Sequence, residues 1–190
     1  MSRWQPVEQM QDLVNKLGGG EGIAKIQSGE LVVVPRNPGA LFRPLGDPID
    51  LPAVPRFVAE DACTETNGIA WMHETFMEVM LPLVEEDVPP TTLFVQELTS
   101  ESRILRIAAA LDVDGKYFVS LAHFLRLLST QAKGQSGPFR TDKINSAIIL
   151  GNDDNIWAVD AVLYPIGWHL YAYSMGYRKW WTAGTRFLSR

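Results

Sequence analysis

With 190 residues, of which 46% are hydrophobic, 21% charged and 10% aromatic, the chain has the size of one domain and enough apolar side chains for a core, which excludes wholesale disorder. One cysteine, Cys63, excludes an intramolecular disulfide framework and a cysteine-based zinc site, and no apolar run reaches the ~18 residues that cross a bilayer. The opening MSRWQPVEQMQD lacks the basic and apolar regions of a cleaved export signal, and the net charge of −5 argues against a globally basic nucleic-acid binder, so a soluble, cytoplasmic chain is expected.

Residues Pro6–Leu17 place Val7, Met10, Leu13, Val14 and Leu17 at helical spacing, and Gly18-Gly19-Gly20 ends that helix. Glu30–Val34 is a β-branched run bounded by Gly29 and Pro35 and reads as a strand. From Pro35 to Pro55 the prolines exclude a helix interior and admit a sheet only at its edge, so a loop wrapping the surface is expected, packed through Leu41, Phe42, Leu45 and Ile49. Ile69, Met72, His73, Phe76, Val79, Met80 and Leu83 then share one face of a helix predicted over 67–83. Glu85-Glu86-Asp87 would follow its end, where acids oppose the macrodipole. Thr91–Leu98 (TTLFVQEL) reads as a strand.

Residues 100–130 admit two readings. Ile104–Leu111 suits a helix, while Asp114-Gly115 between apolar runs signals a hairpin; a further helix is predicted over 121–133. A helix-turn-helix at 104–123 is the alternative, weakened by Asp112 where a turn glycine belongs and by a β-forming start to its second helix. After the loop at 133–138 come strands at 144–150, 156–164 and 168–174, joined by turns at 151–155 and 165–167: a β-meander. Alternation puts Trp157, Val159, Ala161 and Leu163 on one face of its middle strand and Ala158, Asp160 and Val162 on the other. His169, Tyr171 and Tyr173 form a half-exposed stripe, and Trp168 with one of Trp180 or Trp181 belongs to the core.

No local motif supplies chemistry. His73, His123 and His169 have no metal-ligand spacing, and His73 is expected at the core boundary. Cys63 lies among Glu60, Asp61 and Glu65, which would raise its thiol pKa and spoil it as a nucleophile. Asp112–Gly115 matches only the opening of a calcium loop, and neither GxSxG nor a Walker motif is present. No metal or cofactor is expected.

Charge is the informative pattern. Residues 1–100 hold six Lys/Arg against 15 Asp/Glu, and residues 101–190 hold 11 against seven. Between Phe57 and Ser102 there are ten acids and no base; after Asp160 come Arg178, Lys179, Arg186 and Arg190 with no acid, interleaved with aromatics. The two regions could face each other inside the fold, or the acids could face outward to a partner. The expected architecture is α+β in a single compact domain over 1–190: a wrapping loop at 35–55, an acidic region at 57–102, and a C-terminal antiparallel meander at 144–190 packed against two or three helices. The expected function is non-enzymatic: a protein-binding or inhibitory chain presenting Glu74, Glu78, Glu85, Glu86 and Asp87 to a basic partner, nucleic-acid-binding proteins being one candidate class. Phage or mobile-element anti-defence proteins behave this way, by analogy only. An enzyme using Glu97 or Asp160 as a strand-borne base is the alternative; direct nucleic-acid binding and membrane binding are disfavoured.

Overall fold

The computed structural model describes residues 41–111 and 118–190. The helix read at Pro6–Leu17, its glycine stop, the strand at Glu30–Val34 and the hairpin turn at Asp114-Gly115 lie outside the described residues. In chain order the elements are β1 (Phe42–Leu51), β2 (Val54–Val58), α1 (Ala59–Ala62), β3 (Ile69–Met72), α2 (Glu74–Val79), β4 (Val84–Val88) and β5 (Thr91–Leu98). They continue with β6 (Ser102–Arg103), α3 (Ile104–Leu111), α4 (Leu121–Ser129), β7 (Asn145–Leu150) and β8 (Ile156–Tyr164). The last are β9 (Gly167–Ser174), β10 (Trp180–Trp181) and β11 (Arg186–Ser189).

A seven-stranded mixed sheet in the order β1-β5-β11-β7-β8-β9-β3 organises these elements. The meander β7-β8-β9 is antiparallel, as its alternation predicts. The sheet around it is not: β11 lies parallel to β7, and β3 parallel to β9. The architecture is therefore dominated by a mixed sheet rather than by an antiparallel meander leaning on helices. β1 corrects the wrapping-loop expectation for 42–51. It is an edge strand paired with β5: Pro44 keeps its register opposite Gln96, as an edge strand allows, and Pro48 falls within a register break between Leu45 and Ile49.

Both faces of the sheet are covered, which explains why β7 is buried at five consecutive positions instead of alternating. On one face Ala147, Ile149, Val159, Ala161, Trp168 and Leu170 pack with Phe76 of α2 and Phe124 and Leu128 of α4. On the other, Ile148, Ala158 and Phe187 pack with Ile104, Ile107 and Leu111 of α3 and with Trp181. Thus α3 and α4 belong to different cores, and the described residues that lead into α4 are extended: Phe118 bridges Ile148, and Ser120 is the N-cap of α4 with a β-region backbone. That is not the compact helix pair of a helix-turn-helix.

The helix predicted over 67–83 is absent. Gly68 closes a 3-10 turn with φ of 84°, and Trp168 N–H donates to its carbonyl at 2.8 Å, which starts the parallel pairing of Ile69–Met72 with β9. His73 then caps α2, its Nδ1 accepting from Thr75 N–H at 3.2 Å. His73 is accordingly exposed, not a core-boundary residue. The apolar spacing that mimics one long helix is shared between a strand and a six-residue helix, both feeding the same core. Glu85-Glu86-Asp87 consequently sit on β4, paired with β2, and not at a helix C-terminus.

Candidate binding surface

The five predicted acidic residues separate into three environments. Glu74 and Glu78 are exposed on α2. Glu85 turns inward to the start of α4, accepting from Leu121 N–H at 3.1 Å and Ala122 N–H at 2.7 Å. Those two donors have no partner within the helix, so the carboxylate serves as their cap. Burial raises the Glu85 pKa and the two backbone hydrogen bonds pull against it. Glu86 is exposed and pairs with Arg56 at 3.0 Å; both side chains are more than half exposed, so the pair contributes little stability. Asp87 is exposed with φ of 51°.

Glu85, Glu86 and Asp87 line one groove of about 560 Å³, and the turn between β7 and β8 adds Asp154 to it. The lining holds these four acids and neither lysine nor arginine. Asn152 N–H donates to Val79 O at 3.2 Å, which ties that turn to the end of α2. Among the described residues only Asp87 and Asp154 are non-glycine residues with positive φ, and both line this groove. Aspartate is one of the few side chains that tolerates this region. Sequence reading could find the turn at 151–155 but not its partner, since Asp154 meets β4 only through the tertiary fold.

The other carboxylates of interest are committed elsewhere. Glu97 pairs with Arg43 and with Arg140. Asp160 is fully buried; its Oδ2 lies 2.6 Å from Lys179 Nζ and its Oδ1 accepts from Trp181 Nε1 at 3.0 Å. Lys179 also lies over the Tyr173 ring at 3.9 Å and the Trp181 ring at 5.0 Å. Burial works to lower the Lys179 pKa, and the charge and hydrogen bond of Asp160 outweigh it, so the ammonium is held above its ordinary value. Neither Glu97 nor Asp160 lines the acidic groove. Cys63 has its thiol pushed up to about 12 by burial rather than by the carboxylates beside it in sequence.

A second cleft, of about 400 Å³, lies beside the half of β9 that β3 leaves uncovered, beyond the His73 N–H to Leu170 O hydrogen bond. Tyr171, Tyr173, Tyr177, Trp157 and His73 line it. It belongs to a run of rings along β9: His169 to Trp71 at 5.3 Å, Trp71 to Tyr171 at 5.4 Å, Tyr171 to Tyr173 at 6.2 Å and Tyr173 to Tyr177 at 5.1 Å. The predicted stripe of His169, Tyr171 and Tyr173 is thus present and half-exposed, and Trp181 rather than Trp180 is the buried member of its pair. Burial lowers the His169 pKa, and burial with a hydrogen bond to Tyr164 raises that of Tyr171 to about 12.

The histidines do not converge. His73 caps α2, His123 is buried between Ser120 Oγ at 2.8 Å and Pro52 O at 3.1 Å, and His169 lies among rings. Among the described residues no helix is long and apolar enough to cross a membrane. No protein-family model, curated protein or solved structure matches the chain.

Proposed function

We propose that the chain is a non-enzymatic binding module whose acidic groove receives a basic segment of a protein partner, consistent with a partner that itself binds nucleic acid. The observation carrying this reading is the groove lined by Glu85, Glu86, Asp87 and Asp154 with no lysine or arginine in its lining, the one cation paired with them among the described residues being Arg56, which meets Glu86 where both side chains are more than half exposed. A concave site of one sign focuses the field, so it concentrates cations more than the same charges spread over a convex surface. The inward role of Glu85 narrows the interacting set to Glu86, Asp87 and Asp154, with Glu74 and Glu78 steering the approach from α2. An enzyme using Glu97 or Asp160 draws less support, because each carboxylate is neutralised by its own cation.

Fluorescence anisotropy of a labelled nona-lysine peptide tests the reading. The variant Glu86→Gln/Asp87→Asn/Asp154→Asn keeps side-chain volume and residues that tolerate positive φ. It is expected to weaken binding at least about tenfold, with wild-type affinity falling as salt rises. Equal affinity of variant and wild type would overturn the proposal.

A further inference from the structure

The groove and the tyrosine cleft are not isolated from each other. A third depression, of about 560 Å³, lies between them; it shares Asp154 with the acidic groove and Trp157 and Ser174 with the tyrosine cleft. An extended segment seated on the carboxylates therefore has a continuous path to the rings. Trp157, which lines both the depression and the cleft, is tied to a carboxylate outside those linings: Asp153 Oδ1 accepts from Trp157 Nε1 at 3.0 Å. Hydrogen bonds from Asn155 and then Trp157 hold its pKa below the ordinary carboxylate value, so a negative charge stands against the Trp157 ring.

We infer that the tyrosine cleft receives an arginine side chain from the same basic segment that fills the acidic groove, an assignment that rests on the protein-binding reading above. The cleft lining contains no Asp, Glu, Lys or Arg, and its rings present negative faces. Tyr177, 55% exposed, offers the most accessible ring, stacked at 30° on Tyr173. The protein already uses this chemistry internally: Lys179 lies over Tyr173 and is neutralised by Asp160. A ligand cation in the cleft would find the same pairing of ring face and carboxylate, with Asp153 in the place of Asp160. A guanidinium suits it better than an ammonium. It is planar, stacks on a ring while its edge still donates to a carboxylate, and is the more weakly hydrated of the two. Phosphate-bearing ligands are opposed by Asp153 and Asp154 along the same path.

The discriminating experiment compares labelled nona-arginine and nona-lysine peptides, with a dT12 oligonucleotide as anionic probe, by anisotropy at about 0.15 M salt. Wild type is expected to prefer nona-arginine about threefold to thirtyfold. In Tyr177→Ala that ratio falls toward the ratio intrinsic to the two peptides, with nona-lysine affinity unchanged; in Tyr177→Phe, which keeps the ring, the preference persists. Thermal unfolding of each variant checks that the fold is retained, which the exposure of Tyr177 favours. An unaltered ratio in Tyr177→Ala overturns the arginine assignment while nona-lysine binding leaves the acidic-groove reading standing. Failure of both peptides to bind wild type removes both readings, and preferential capture of dT12 overturns the arginine assignment in favour of a base-stacking surface.

Discussion

Replacing Asp160 by asparagine isolates the electrostatics of the buried pair. Asparagine keeps the volume and retains an oxygen for Trp181 Nε1, but it leaves Lys179 with no opposite charge 2.6 Å away. The lysine side chain is 21% exposed and the aspartate is fully buried, so solvent can relieve only part of the loss. Breaking a buried pair from one side costs roughly 3–5 kcal/mol, and the residual exposure of Lys179 puts the expectation near the lower end, about 3 kcal/mol. In a chain of this length that corresponds to a fall in Tm of about 6–12 °C. A pH signature separates this cause from simple loss of packing. In wild type the lysine pKa is raised, so the pair's contribution is complete below the unfolded value near about 10.4 and is lost as pH rises through the folded value. In Asp160→Asn burial, the largest influence on the lysine, lowers its pKa with only the weaker interaction with Tyr173 opposing it. The unfolded chain then binds more protons over the interval below about 10.4, and stability rises with pH there, by at most about 1.4 kcal/mol per unit. Urea unfolding from pH 7 to 10 reads both effects. Adding Lys179→Met should recover most of the loss, because an apolar side chain on the Tyr173 and Trp181 rings removes the uncompensated charge. A loss below about 1 kcal/mol at pH 7, or a pH profile parallel to that of wild type, would refute the reasoning.

Two further substitutions test how the surfaces are held. Gly68→Ala would place a Cβ 2.4 Å from the carbonyl oxygen of Ala132 at a φ of 84°, so backbone must move; a loss of at least about 2 kcal/mol in chemical unfolding is expected, and a change under about 0.5 kcal/mol would contradict it. Glu85→Ala strips the cap from Leu121 and Ala122 and should cost about 1–2 kcal/mol in stability while leaving nona-lysine binding within a few-fold of wild type; the opposite result would make Glu85 a binding residue instead of a cap.

What could be read from the sequence follows the range of the forces involved. The meander and β5 were legible because alternation and turn residues lie within a few positions of each other, and the same alternation places Asp160 opposite Val159 and Ala161. The prolines of β1 announced an edge; what they could not announce was that β5 would supply the hydrogen-bonding partner. At 67–83 the helical spacing of Ile69, Phe76, Val79 and Met80 is real, yet it arises from a strand and a helix that serve one core, and the deciding event is pairing with Trp168–Leu170 about a hundred residues later. β11 is four residues long and takes its place between β5 and β7 from the end of the chain, so no local pattern could assign it.

The same limit applies to the acidic groove. Acid enrichment between Phe57 and Ser102 is visible in the sequence, but whether it is spent internally is a tertiary question. Among the described residues, no ion pair joins that stretch to the basic region after Asp160. Lys179 goes to Asp160, Arg186 donates to Pro138 O at 2.6 Å, and Arg190 donates to Thr91 Oγ1 at 3.1 Å. Of the ten acids, Glu97 is neutralised by Arg43 and Arg140 and Glu86 meets Arg56 in solvent. The two halves of the charge asymmetry therefore do different physical work. Three of the four C-terminal cations, Lys179, Arg186 and Arg190, are anchored on an aspartate, a carbonyl and a hydroxyl of the sheet and its loops, and Asp87 and Asp154 hold positive-φ backbone at the rim of a groove that has no base in its lining. Carboxylates that line one concavity add their fields there, and a basic segment entering it would meet that summed potential.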